Sequence, residues 1–470
     1  MYRPRYLALL APIVPAAAAL IAPVATKSQQ GGPPNFVDSP NGEGISRTLT
    51  TKRGFDETNP FFKPLGTNGR TCATCHPVDQ GMTISPDYAA QVFANTAGLD
   101  PLFATVDGTN SPEADMSTPG ARMESCSMLL TKGLIRIGRP MPANAEFTLI
   151  AVDDPYHYAS AKELSLFRRP LPSTNLRFLS TVMWDGRELA PKGTVQQALQ
   201  SQISDAVTGH EQGAAPPTAS EIAQILSFET SLYTSQVYDN SAGNLNLPNI
   251  AAGPEALVNL PYFSGINNAF GMVRNPLPFN PNVFTFYQPW LNLPGGPGKP
   301  GGPGRPRPTG QQLAQASVAR GEKLFNTKQF AITGVNGLND ILGKPVINGT
   351  CSSCHSTQSV GSNSLPLLLN TGISDGKLRT PDMPLYTLKN NKTGFVIETT
   401  DPGAALTTGK WADIGKFKIP SLRGLETQSP YMHNGFSGDL LDVLDFYNKR
   451  FNIGLSQQDA GDLKAFLTTL

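Results

Sequence analysis

The sequence predicts a mainly α-helical protein of two domains, one around each copy of a short motif, with long irregular insertions. Three observations carry this. Cys-x-x-Cys-His occurs twice, at Cys72-Ala73-Thr74-Cys75-His76 and Cys351-Ser352-Ser353-Cys354-His355. Segments between and beyond these copies repeat apolar residues every three to four positions, several behind helix-capping signatures. The 45 Gly and 42 Pro in 470 residues leave much of the rest as loop.

Cys-x-x-Cys-His is the attachment sequence for c-type haem. On one helical turn, positions i, i+3 and i+4 share a face. Two thiols can then bond the two vinyl groups of one porphyrin, and the following imidazole can ligate its iron. The cofactor residues expected are Cys72, Cys75 and His76 for one covalently bound haem c, and Cys351, Cys354 and His355 for a second. A four-cysteine zinc site would leave both histidines unexplained. The fifth cysteine, Cys126, reads as a small, buried, inert side chain.

Hydrophobic residues make up 39% and charged residues 16%, as in a soluble globular protein of two to four domains. A net charge of +1 offers no broad basic field for nucleic acid. Residues 1–25 read as a secretory signal: Arg3 and Arg5, an apolar run from Leu7 to Ile21 broken by Pro12 and Pro15, then small residues ending at Ala25. The run is short for a membrane span, so no stable span is expected after cleavage. Export, to the periplasm or beyond, agrees with haem c, which bacteria attach outside the cytoplasm. The expected organisation is an N-terminal haem domain over 26–290, a Gly/Pro-rich linker or loop over 291–310 with four Gly-x-Pro triplets, and a C-terminal haem domain over 311–470.

Along the chain, Gln29 to Thr51 reads as a mobile lead-in. From Met82 to Ala145 the periodicity is weak, and Pro86, Pro101, Pro112 and Pro119 keep helices short. Phe147 to Val152 is a candidate strand. His157 lies in a turn-like stretch and reads as solvated or structural. Val195 to Ile203 is helical. A second helix starts at Thr218, with Glu221 completing a capping box. Val237 to Leu293, poor in charge and rich in aromatics, reads as a long loop pinned over a core rather than a cover on an entrance or partner surface. Helices follow over Gln311 to Phe325, Asp439 to Asn448, and from Ser456 to the end, where Leu463, Phe466, Leu467 and Leu470 share a face.

Several linked motifs resemble the bacterial di-haem cytochrome c peroxidase family, including its MauG-like members. They are Met183-Trp184-Asp185-Gly186-Arg187 between the haem motifs, Ala319-Arg320-Gly321-Glu322-Lys323-Leu324-Phe325 before the second, and Phe417 to Arg423 and Pro430 to Gly435 after it. Most of Gln80 to Leu171 and Val237 to Pro308 lies outside the resemblance. It implies two cytochrome-c-like haem domains facing each other. One haem, usually the N-terminal one, meets peroxide, and the other takes electrons from a small donor protein. Trp184 falls where the family relays electrons between haems; a core aromatic is the compatible bland role. Fourteen residues after His433, where many members carry a Met ligand, stands Tyr447. This is the MauG-like arrangement, and tyrosinate favours oxidised iron. Met432 and Met383 are the other candidate ligands.

The family also places a Gln and an acid/base Glu after the Asp-Gly-Arg turn. Gln202 or Gln197 fits the first. His210 and Glu211 are the titratable pair near the second, and either can move a proton between peroxide oxygens. His210 can instead ligate the first haem, or the pair can be a surface feature. The family's bridging calcium is only partly represented: Pro430 is present, but Gln428 replaces a Thr and no Asn precedes Trp184 at the expected place. The resemblance thus implies an exported di-haem peroxidase that reduces hydrogen peroxide with electrons from a cytochrome c or cupredoxin. The alternatives are a MauG-like oxidase acting on a protein or organic substrate, and a di-haem electron carrier without catalysis.

Overall fold

The computed structural model describes residues 35–188, 193–272, 277–293 and 308–470. Residues 1–25 and the Gly-x-Pro triplets lie outside these. Of the described residues 33% are helical and 18% lie in strands, so the expectation of a mainly α protein is wrong. Several of the strands occupy stretches read as insertion or lead-in, and others lie within the C-terminal domain. Phe36–Asn41 pairs with Gly44–Thr50, which pairs in turn with Leu232–Asp239 in an antiparallel sheet, so the lead-in is ordered strand from Phe36 onward. Phe147–Asp153, expected as a strand, pairs with Leu385–Asn390, which in turn pairs with Val396–Thr399. Ile135–Arg139 pairs with Leu164–Arg168. Two of these pairings join strands that are far apart in the chain, and a hydrogen-bond partner that distant gives no local signal.

The helices fall close to where their caps place them. Thr218 accepts from Glu221 N at the start of Ala219–Glu229. Asp439 caps Leu440–Phe451, and Ser456 caps Gln457–Leu467. Val195–Gly209 runs two turns beyond the expected end, which brings its last turn to the first haem motif.

One apolar core joins Val318, Ala319 and Phe325 of the Gly310–Thr327 helix to Leu444, Leu463 and Phe466. Gly321 lets this helix approach the last one closely: a Cβ there would stand 1.9 Å from the Asp462 carbonyl oxygen. Arg320 bonds the Asp462 carboxylate through two nitrogens at 2.7 Å. The same helix pins the aromatic stretch read as a loop over a core. The Glu322 carboxylate accepts from Phe286 N at 2.6 Å and Tyr287 N at 3.0 Å, and Asn326 bonds the backbone of Val283 and Phe284. Val283, Phe284, Tyr287 and Trp290 are buried in that core. A second core gathers Phe61, Met82, Leu176, Leu199, Ile203, Ile225 and Phe228 beside Cys72.

A buried ion cluster ties the elements between the two cores. Arg168 bonds Asp401 at 2.7 and 2.9 Å and Asp185 at 2.7 Å. Burial alone would raise the Asp185 carboxyl, but the Arg168 and Arg187 guanidiniums outweigh it and hold the group below the ordinary carboxylate range. Removing one partner strands a buried charge, so Arg168→Met is expected to cost about 3–5 kcal/mol in denaturant unfolding of the holoprotein. The depressed carboxyl has a pH signature: its contribution is complete above the unfolded value of about 4 and declines as pH falls toward the lower native value. Acid unfolding of the parent followed by circular dichroism is expected to show that decline, and Asp185→Asn to flatten it.

Candidate active site

Each Cys-x-x-Cys-His motif forms one helical turn, Cys72–Cys75 and Cys351–Cys354, closed by a backbone bond from the histidine to the first cysteine. The turns start on Thr71 and Thr350, whose backbone nitrogens bond the hydroxyls of Thr74 and Ser353 at 3.0 Å. None of the four cysteines is in a disulfide. Burial pushes Cys75 up to about 11 and Cys351 and Cys354 to about 12, and Cys72 well above its ordinary value.

The imidazoles are set alike. Nδ1 of His76 donates to the Met82 carbonyl at 2.9 Å, and Nδ1 of His355 donates to the Gly361 carbonyl at 2.5 Å. Gly361 adopts φ +66° in the returning loop, a conformation suited to glycine. Burial pushes both imidazoles down to about 4. Near neutral pH each therefore offers an Nε2 lone pair, as an axial ligand must.

Each motif opens on an apolar cavity. The first is lined by Cys72, Cys75, His76, Leu176, Leu199, Gln202, His210 and Glu211. The second is lined by Cys351, Cys354, His355, Phe325, Met432, His433, Leu444 and Tyr447. They share a wall: Arg169 to Pro172, Trp184, Lys418, Pro420, Ser421 and Gln428 line both. Trp184 Nε1 donates to the Arg169 carbonyl at 2.8 Å, and its ring lies 6.2 Å from that of His433.

Two buried cations in this wall fit a carboxylate-bearing macrocycle. Among the described residues neither Arg169 nor Lys418 has a carboxylate partner. Arg169 reaches only carbonyls, the best being Gly133 O at 2.7 Å, and its Nε is unpartnered. Lys418 reaches Thr181 O at 3.4 Å. Burial pushes Arg169 down to about 9 and Lys418 to about 8. Haem carries two propionates, so the donor set, the apolar walls and the two cations fit that group.

The other expected residues separate by position. Gln202 and His210 lie on one face of the Val195–Gly209 helix and its cap, and both line the first cavity. Gln197 instead caps that helix, its side-chain oxygen accepting from Thr194 N at 2.9 Å on the exposed side. Glu211 accepts from Leu65 N at 2.9 Å, and its other oxygen stands 3.7 Å from Cys72 Sγ. Burial raises its carboxyl. Its contacts brace the loop before the first motif. Tyr447 faces the second cavity and stacks on Phe451. Burial raises its phenol. Met432 lines the second cavity, whereas Met383 packs with Met128, Leu134 and Phe167 away from it. His157 is exposed in a left-handed turn, and Cys126 is buried among Ile84, Phe93 and Phe103.

Three residues at the cavities were not read from the sequence. Asp107 bonds both Arg70 and His210. Glu229, buried at the first cavity with Oε2 unpartnered, is pushed up to about 7 by burial. His433 stacks on Phe417 at 3.9 Å, with Nε2 unpartnered at the second cavity. No motif or local period marks the first two; His433 sits in a recognised signature that assigned it no role.

Two haem-type motifs, each with a neutral imidazole over an apolar cavity, define the class as a haem c protein. No family model matches the chain. It is 33% identical over 135 residues to Cytochrome-c peroxidase IdrP2 of Denitromonas iodatirespirans, covering 26% of this chain and 36% of that one. It is 35% identical over 96 residues to Cytochrome-c peroxidase IdrP1 of the same organism, covering 18% and 26%. Over 38 residues it is 53% identical to Methylamine utilization protein MauG of Paracoccus denitrificans, covering 8% and 10%. The match spans about a third of the first of these relatives. The solved structure of a MauG-like protein associated with microbial copper homeostasis aligns over 93% of each chain at 14% identity and a TM-score of 0.38, too loose for a comparison of folds. Over these partial matches, the chain is similar to cytochrome c peroxidases and to MauG. That similarity agrees with haem c as the cofactor read from the two motifs.

Lys418 gives this site a direct test. A buried cation favours the reduced, more negative state of a nearby redox group. Lys418→Met is expected to lower the reduction potential of the holoprotein by roughly 60 mV for each ~1.4 kcal/mol of favourable interaction removed, read by potentiometric titration.

Proposed function

We propose that the protein is an exported peroxidase with two covalently bound haem c groups, one held by Cys72, Cys75 and His76 and the other by Cys351, Cys354 and His355. In this reading it reduces hydrogen peroxide at the first site with electrons from a small redox protein, a cytochrome c or cupredoxin. The observation that carries this is the shared wall, in which Trp184 lines both cavities. That is the arrangement required for electrons received at one site to be used at the other. Among the described residues no helix is long and apolar enough to cross a membrane.

The bound haem supplies the redox centre. The residues around it do the rest. Gln202 offers an amide to hold peroxide in the first cavity. His210 takes the proton from one peroxide oxygen and returns it to the other as the O–O bond breaks. With two electrons and two protons, one hydrogen peroxide gives two waters. Glu211, turned to Leu65 N and Cys72, serves the loop rather than the proton.

Tyr447 at the second cavity favours a second reading, a MauG-like oxidase that draws electrons from a protein or organic substrate. Rapid-mixing absorption of the holoprotein against hydrogen peroxide separates the two. Reaction only after half-reduction supports the donor-dependent peroxidase, and reaction of the fully ferric form supports the oxidase. Low-spin spectra without reaction in either state would leave an electron carrier. His210→Gln is expected to slow the peroxide reaction roughly 10²- to 10⁴-fold with unchanged haem content. If Tyr447 ligates the second iron, Tyr447→Phe changes the spectrum of that haem and raises its potential, because tyrosinate favours oxidised iron.

A further inference from the structure

The stretch from Met82 to Ala145 lies outside the family resemblance, yet it delivers a buried acid to the first site. Asp107 follows the short turn Pro101–Phe103 and is 4% exposed. One carboxylate oxygen bonds Arg70, two residues before Cys72, and the other bonds Nδ1 of His210. Arg70 is itself clamped by the Pro101 and Leu102 carbonyls, both at 2.7 Å. The Asp107 carbonyl accepts from Arg136 N at 2.9 Å. The His210 carbonyl accepts from Asn68 Nδ2 at 2.8 Å and from Arg70 at 3.3 Å. Ring and backbone of His210 are thus both fixed, although its side chain is 34% exposed at the cavity rim.

We infer that Asp107 is a positioning residue for His210. It holds the proton on Nδ1, so that Nε2 turns a lone pair to whatever enters the first cavity. The inference rests on the reading of that cavity as the peroxide site. An ionised carboxylate can only accept a hydrogen bond, so its contact with Nδ1 selects the tautomer bearing its proton there. Nε2 is then the base. When it removes a proton from hydrogen peroxide, the positive charge on the ring is offset by Asp107, whose own charge is kept in place by Arg70. The proton then passes to the second oxygen as the O–O bond breaks. The electron pair for that cleavage comes from the haem centre and is replaced by the external redox protein. Two further protons from solvent complete the second of the two waters.

The test uses holoprotein carrying Asp107→Asn, His210→Gln, or both. Two rates are measured: reaction with hydrogen peroxide, and binding of hydrogen cyanide to the ferric protein. Hydrogen cyanide must also lose a proton to bind, but no O–O bond breaks. Asp107→Asn is expected to slow both rates roughly 10- to 100-fold, as loss of an orienting partner does, and the double variant to be no slower than His210→Gln alone. Equal slowing in the His210→Gln background would mean that Asp107 acts elsewhere and would overturn the inference, as would parental rates for Asp107→Asn beside a slow His210→Gln. Parental rates for His210→Gln would instead remove the acid/base reading of the site. Asp107→Glu keeps the charge facing Arg70. Its expected partial retention of both rates carries the same test if the asparagine variant does not fold.

Discussion

The buried guanidinium of Arg168 is the constraint on which the arrangement of the two cavities depends. It ends the Leu164–Arg168 strand, and its two carboxylate partners come from different parts of the chain: Asp185 from the turn after Trp184, Asp401 from beyond the second haem motif. A charge this deep persists only with its partners in place, so three segments are locked in one geometry. The next residue, Arg169, then falls in the wall between the cavities. Its backbone nitrogen bonds His433 O at 2.7 Å and its carbonyl accepts Trp184 Nε1. Lys418 N bonds Trp184 O at 2.8 Å and closes the wall from the C-terminal side. The tryptophan is held at both its backbone and its ring.

The two cavities are built on the same turn yet differ in chemistry. The first has a helix end pointing into it, with an amide at Gln202 and an imidazole at His210 backed by a carboxylate. Opposite its histidine the second presents mainly aromatic and aliphatic side chains, with Tyr447, Met432 and His433 among its polar or soft groups. Similar motifs fix a cofactor in similar ways; the wall opposite each histidine sets what it can do. A wall that offers an amide and an imidazole suits a site that handles protons and a small oxidant, and a more apolar wall suits one that passes electrons.

The stretches outside the family resemblance contribute to both sites. The segment from Met82 to Ala145 places Asp107 beside His210. The aromatic segment from Val283 to Trp290 is drawn into the C-terminal core by Glu322 and Asn326, and Phe284 lies against Gly361 in the loop that receives His355. Burial raises the Glu322 carboxyl to about 7, a cost that its two backbone bonds partly offset. These segments therefore brace the haem turns as well as connecting them.

By itself the sequence determined what depends on local geometry. The spacing of Cys, Cys and His on one turn marked the two candidate attachment sites. The capping residues Thr218, Asp439 and Ser456 specified where helices start, because a cap acts over three or four residues. The Trp184 and Arg320 motifs pointed to the family because they are contiguous. Tertiary structure alone decided the rest. Apart from Phe147–Asp153 the strands were missed; for Gly44–Thr50 the hydrogen-bond partner, Leu232–Asp239, lies far off along the chain. Gln202 was separated from Gln197 only when the helix face toward the cavity was known. Asp107 became legible only when folding brought it to His210, 103 residues away. Burial of Lys418 and Arg169 without acids is likewise a property of three-dimensional packing, because the charge balance of a buried group is set by its neighbours in space rather than along the chain.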